Sequence, residues 1–155
     1  MSKVAMVTGA GTGVGRRVSE VWSKEDFIVY LIGRGKGKLI ETQELCLGKT
    51  EVMPCDVSDQ IAVENVFKII EEKYNRIDVL FNNAGIGVPA QSIDEMPFEN
   101  WKSVVDINLN GMFLCAKYAF GLMRKQNPQG GRIINNGSVS SVTPRPGSIP
   151  YTATK

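Results

Sequence analysis

Residues 3–15 read KVAMVTGAGTGVG, a short apolar run that breaks into glycines and then opens an amphipathic stretch. KVAMVTG reads as a buried strand, and the helix that follows, from about Val14 to Ser23, offers Val14, Val18, Val21 and Trp22 to a core. Between them lies TGAGTGVG, at the position where an open α/β sheet binds phosphate. Glycine lets the backbone turn sharply and approach an anion, and the helix start beyond it offers free N–H groups and a positive dipole end. The spacing is T-G-x-x-x-G-x-G, carried by Thr8, Gly9, Gly13 and Gly15, rather than G-x-G-x-x-G, and it lacks the G-K-[ST] ending of a nucleotide-triphosphate loop. The same glycines also read as room for close helix–sheet packing, so the residues alone leave both roles open.

The rest of the chain repeats the alternation. FIVYLIG (27–33) is a second continuous apolar run, the kind a parallel sheet covered on both faces requires. A more polar helix around Lys38 to Leu47 precedes a short strand, TEVMPCDV (50–57). Ser58 is placed to N-cap the next helix, where Val63, Val66, Phe67, Ile70 and Tyr74 recur at helical spacing. IDVLFNNAG (77–85) is a fourth strand running into a turn. A long helical stretch, Phe98 to Gln126, then carries Trp101, Val105, Leu109, Phe113, Ala116 and Phe120. Asn108, mid-helix, is poor for helicity and predicts a local kink or a side chain with another task. RIINNGS (132–138) is the fifth strand, and its Asn135 and Asn136 need partners. Strands alternating with helices predict an α/β fold, a doubly wound parallel sheet with right-handed crossovers, in one domain spanning 1–155.

Composition narrows the function classes. The 155 residues carry a formal net charge of +2 with both signs interspersed, no electrostatic footprint for nucleic acid or an anionic membrane. No window approaches the ~18 apolar residues of a membrane helix, and the N-terminus lacks a signal-peptide core. Cys46, Cys55 and Cys115 are scattered and odd in number, which fits a reducing compartment and inert thiols. With no histidine and no CxxC pair, a zinc site has no ligands. The expectation is a soluble, cytoplasmic protein.

The stretch SIPYTATK (148–155) carries proton chemistry. A free Tyr has a pKa of about 10, and a lysine one helical turn away supplies the positive charge that favours its phenolate. Tyr151 and Lys155 have that spacing, and Ser138 lies thirteen residues before Tyr151, at the carboxyl end of the fifth strand. Ser140 and Ser141 stand close by.

Together TGAGTGVG, CDVSD, NNAG, DINLNG and the GS that precedes YTATK resemble the short-chain dehydrogenase/reductase family, in order and over the whole chain. The resemblance implies a Rossmann-type sheet of order 3-2-1-4-5 and a tetrad of Asn108, Ser138, Tyr151 and Lys155. In it Tyr151 is the acid/base, Ser138 holds the substrate oxygen, and the Asn108 backbone helps hold a proton-relaying water. Asp56 would accept from the adenine amino group, and Asn83 and Gly85 would line the adenosine ribose, although a turn carboxylate and a strand-closing Asn are the plainer readings of the first two.

An NAD-type site closes the second strand with an acid. Here Gly33 stands there and Arg34 follows, beside Lys36 and Lys38, so NADP is preferred over NAD. Against this, the Gly- and Lys-rich segment also reads as a solvated loop, and Thr12 stands where many NADP-using relatives carry a basic residue. The implied partner is a small alcohol or carbonyl substrate, and the implied full-length parent is a homodimer or homotetramer. Relatives are longer, so the chain is expected to be an N-terminal portion, truncated before the family's last two strands. A catalytically incompetent dinucleotide-binding fragment or interaction module is therefore the alternative. The short helix holding Tyr151 and Lys155 is expected to fray, and the fifth strand to be an exposed apolar edge.

Overall fold

The computed structural model describes residues 3–155. Strands β1 (Lys3–Thr8), β2 (Phe27–Gly33), β3 (Thr50–Pro54), β4 (Val79–Asn82) and β5 (Arg132–Asn135) form one sheet in the order β3-β2-β1-β4-β5, every neighbouring pair parallel. The helices are α1 (Gly13–Ser23), α2 (Lys36–Leu45), α3 (Gln60–Tyr74), α4 (Phe98–Val105), α5 (Gly111–Lys125) and α6 (Ile149–Thr154). A π turn, Asp106–Asn110, joins α4 to α5, and a 3-10 turn, Val139–Ser141, precedes α6. The strand order reverses between β1 and β4, so the turns leaving those strands face each other across a crevice.

The unbroken apolar runs of β1 and β2 follow from burial on both faces. Side chains alternate across a strand, and Val4 and Met6 join Tyr30 and Ile32 in a layer closed by Val63, Phe67 and Ile70 of α3 and by Cys115 and Ala119 of α5. Ala5 and Val7 join Val29 and Leu31 in the opposite layer, closed by Val18 and Trp22 of α1 and Leu39 of α2.

The structure departs from the sequence expectation in identifiable ways. Val14 and Val21 lie outside the core, 58% and 46% exposed, because α1 approaches the sheet through Gly15, Ser19 and Ser23. Helix α2 starts two residues earlier than expected, at Lys36 after the N-cap Gly35, and ends before Cys46 and Leu47. The cap of α3 is Asp59, whose Oδ1 accepts from the Ile61 and Ala62 amides at 2.9 and 3.1 Å. Ser58 instead donates its amide and hydroxyl to Asp56 Oδ1, at 3.0 and 2.7 Å.

The long helix is interrupted by the π turn at Asn108, and its buried stripe is Val104, Ile107, Gly111, Cys115, Ala119 and Leu122. Leu109, Phe113 and Phe120 face outward. The helix sits too near its neighbours for aromatics: a Cβ on Gly111 would come 2.6 Å from Val57 Cγ2.

Strand β5 is an edge, with Ile134 42% exposed. At its end Asn82 Nδ2 donates to Asn135 Oδ1 at 3.0 Å, and just beyond the two strands Asn136 Nδ2 donates to Asn83 Oδ1 at 2.9 Å. At the other end of the sheet Asp78 fastens three strands. Its Oδ2 accepts from the Val4 amide at 2.8 Å, and its carbonyl accepts from the Arg132 amide at 2.8 Å.

Burial opposes ionisation of Asp78, but the Arg76 guanidinium, the Val4 amide and nearby Lys3 outweigh it and hold the carboxyl below its ordinary value of 3.8. A depressed carboxyl contributes stability above its unfolded pKa and loses it as pH falls through the folded one. Asp78→Asn is therefore expected to cost about 2 kcal/mol near neutrality. In chemical denaturation the gap to wild type should narrow as pH drops below about 4.

Candidate active site

The glycine turn is built by steric necessity. Gly9 and Gly13 have φ of +67° and +53°, conformations that side chains strain. A Cβ on Gly15 would lie 2.3 Å from the Gly9 carbonyl oxygen, so α1 begins in direct contact with the turn it follows. A Cβ on Gly13 would meet nothing within 4 Å, so packing does not account for that glycine. Thr12, the N-cap of α1, is extended and its side chain does not cap the helix, and the first turn carries no acid. The helix thus presents uncapped N–H groups and its positive end to the crevice.

Thr8 joins this turn to the one after β4. Its Oγ1 accepts from the Asn83 and Ala84 amides at 2.9 and 3.0 Å and donates to the Phe81 carbonyl at 3.4 Å. Asn83 Nδ2 donates back to the Thr8 carbonyl at 3.0 Å. The Asn83 side chain thereby bridges the strand ends, between Thr8 and Asn136.

Arg16 holds the outside of the turn: Nη2 donates to the Gly11 carbonyl at 2.6 Å and pairs with Glu41 at 2.8 Å. Sequence reading passed over Arg16. An arginine in a helix's first turn opposes the dipole, and that oddity was its signal.

Gly9, Arg34, Cys55, Asp56, Gly85 and Ile107 converge on a crevice of about 110 Å³. Arg34 is exposed there and has no hydrogen-bond or ion-pair partner among the described residues. Asp56 is oriented by Ser58 through Oδ1. Burial, with Asp56 and Asp59 adding to it, raises the Cys55 thiol to about 11, and burial raises Cys115 to about 12. Both are therefore protonated, unreactive thiols at neutral pH. Among the described residues no group of three or more His, Cys, Asp or Glu is arranged to hold a metal ion.

Asn108 and Lys155 meet at Gly85, where a Cβ would lie 3.3 Å from both Asn108 Oδ1 and Lys155 Nζ. The fully buried Asn108 amide accepts from the Ile86 amide at 2.8 Å and donates to the Ile86 carbonyl at 3.0 Å and to Thr154 Oγ1 at 3.2 Å. Thr154, which sequence reading did not single out, thus docks α6 on the π turn. Lys155 Nζ donates to the Asn136 carbonyl at 3.0 Å, and burial holds its pKa below the ordinary lysine value. The short α6 carries tertiary hydrogen bonds at Thr154 and Lys155.

Tyr151, half-buried, lies on the wall of a cavity of about 380 Å³, opposite Gly87, Val88 and Ala90 and beside Arg145, Ser148 and Pro150. Ser138 Oγ accepts from the Ser140 amide at 3.1 Å, which leaves the hydroxyl hydrogen available. Ser140 is buried, and the Ser141 hydroxyl is spent on the Ser138 carbonyl at 2.8 Å. A larger hollow, about 530 Å³ between Phe120, Met123, Arg124 and Ile133, opens away from all of these groups. Among the described residues no helix is long and apolar enough to cross a membrane.

The profile of the family described as short chain dehydrogenase matches residues 3–155. A 3beta-hydroxysteroid dehydrogenase of Mediterraneibacter gnavus is 38% identical over 156 residues, which cover 99% of this chain and 55% of that protein. A meso-2,3-butanediol dehydrogenase of Serratia marcescens is 35% identical over 155 residues, 99% of this chain and 60% of the relative. The chain therefore spans less than two thirds of the length of these relatives. The crystal structure of a short chain dehydrogenase from Bacillus anthracis superposes with a TM-score of 0.90 at 31% identity, covering 99% of this chain and 64% of the other.

The glycines separate two effects. Gly13→Ala meets no atom and is expected to cost about 1 kcal/mol of backbone strain. Gly15→Ala drives a methyl into the Gly9 carbonyl and is expected to cost at least about 3 kcal/mol. Thermal unfolding of both variants reads the difference.

Proposed function

The chain belongs to the short chain dehydrogenase family, and from that premise we propose that it forms the cofactor cradle and proton-transfer site of an NAD(P)-dependent oxidoreductase interconverting a secondary alcohol and a ketone. The names of the two curated relatives support that substrate class, since both a 3beta-hydroxysteroid and meso-2,3-butanediol carry a secondary carbinol. The observation that carries the proposal is the grouping of Lys155, Asn108 and Gly85 at the crevice, with Tyr151 one helical turn before Lys155 on the adjoining cavity wall.

The cradle fits a dinucleotide. The open space before Gly13 and the uncapped start of α1 suit a pyrophosphate. The second Asp56 oxygen is left to accept from an adenine amino group, and unpartnered Arg34 suits a 2′-phosphate, which favours NADP over NAD. When bound, the dinucleotide supplies the hydride donor or acceptor.

The chain's own residues move the proton. The Tyr151 hydroxyl gives its proton to the substrate oxygen in reduction and takes it back in oxidation. Lys155 sets its ammonium at Gly85, one helical turn from Tyr151, where it adds positive charge to the side of the crevice on which the proton moves. Ser138, its oxygen already engaged by the Ser140 amide, donates its hydrogen to the substrate oxygen. Asn108 is a positioning residue: it fixes Ile86 and Thr154, and so the walls around the Lys155 ammonium.

The cavity beside Tyr151 is walled only by two loops and α6. That openness favours a second reading, cofactor binding without turnover. Titration with NADPH and NADH, followed by nicotinamide fluorescence, and steady-state reduction of a ketone panel separate the two. Arg34→Gln is expected to weaken NADPH about tenfold more than NADH; an equal effect on both removes the NADP preference. Tyr151→Phe is expected to lower turnover at least about a hundredfold while the dinucleotide still saturates. Turnover that survives this change refutes the proposed acid/base.

A further inference from the structure

The cavity beside Tyr151 carries one charged side chain on its wall, and the reaction has no use for it. Arg145 stands among Gly87, Val88, Ala90, Pro146 and Ser148, all uncharged. The exposed guanidinium, like that of Arg34, has no hydrogen-bond or ion-pair partner among the described residues.

The backbone that carries Arg145 is held. Pro144 and Pro146 flank it, and proline restricts both its own φ and the residue before it. The Arg145 carbonyl accepts from the Ser148 hydroxyl at 2.6 Å and the Ser148 amide at 3.2 Å. Two residues on, the Gly147 carbonyl accepts from the Gln91 amide at 3.1 Å, and a Cβ on Gly147 would lie 2.9 Å from that nitrogen. The loop bearing Arg145 is thus fastened to the loop forming the facing wall. A cation on a braced turn loses less freedom when it engages a ligand.

We propose that Arg145 selects substrates bearing a carboxylate remote from the reacting carbinol or carbonyl. The planar guanidinium fork matches a carboxylate in two parallel hydrogen bonds, and no acid on the cavity wall competes for it. With the oxygen to be reduced held at Tyr151 and the carboxylate at Arg145, the two groups fix the ends of the substrate and the uncharged wall receives its body. This assignment rests on reading the cavity as the substrate site.

The test is calorimetric titration of the chain, saturated with oxidised NADP, with para-acetylbenzoate and with its methyl ester. Wild type is expected to bind the acid about tenfold more tightly than the ester. In Arg145→Gln the ratio falls towards one, and Arg145→Lys, which keeps the charge without the fork, restores part of it. Equal affinities in wild type, an undiminished ratio in Arg145→Gln, or no binding of either compound overturns the assignment, whatever the nucleotide titration and the Tyr151→Phe variant report. A charge preference that follows Arg145 in a chain whose turnover survives Tyr151→Phe keeps the anion site and removes the reaction proposed around it.

Discussion

One hydroxyl ties the carboxyl end of the sheet together. Thr8 Oγ1 accepts from two consecutive amides after β4 and donates to a carbonyl within it. Strands β1 and β4 are the pair between which the winding direction reverses, and only Ala5, Met6 and Val7 of β1 register against β4. Beyond that register the ladder ends, and polar backbone left in a crevice must find other partners. Thr8 and Asn83 supply them. The glycine turn on one side and Gly85 on the other are therefore held at a fixed separation, which sets the width of the cleft.

From this junction a line of amides runs outward. Asn83 accepts from Asn136, Asn82 donates to Asn135, and the Asn136 carbonyl receives the Lys155 ammonium. Asparagines in a buried strand end are costly unless paired, and here they pair across neighbouring strands at matching register. Asn82 Oδ1 is left without a partner among the described residues, as are the buried Tyr30 and Tyr74 hydroxyls. The amides that look out of place in a strand are what connect the glycine turn to the lysine.

Much of this was legible in the residues, and the failures share a cause. Continuous apolar runs located β1, β2 and β4, because parallel strands covered on both faces leave no polar alternation to misread. Asn108 gave away the break in the long helix, because a mid-helix amide that helps neither helix nor surface needs another employment. The buried face of that helix was not legible. Choosing Trp101, Phe113 and Phe120 follows size, whereas the helix lies so close to its neighbours that Gly111, Cys115 and Ala119 are what fits. The α3 cap was misassigned because DVSD offers three capping side chains in four residues, and only tertiary position decides among them. The Asn83 side chain bonds to Thr8, 75 positions away, a contact that no local pattern records.

The Thr8–Asn83 junction also has a kinetic meaning. Pairing β1 with β4 closes a loop that contains β2, β3 and three helices, and such long-range closure must be made before its contacts can repay the lost chain entropy. The Asn136–Lys155 bond in turn presupposes that β5 has docked on β4. The helices and the β1–β2–β3 half draw on nearer contacts, so the entropic cost of long-range closure falls on the β4–β5 half. The lysine's bond to Asn136 therefore depends on the longest closures in the sheet.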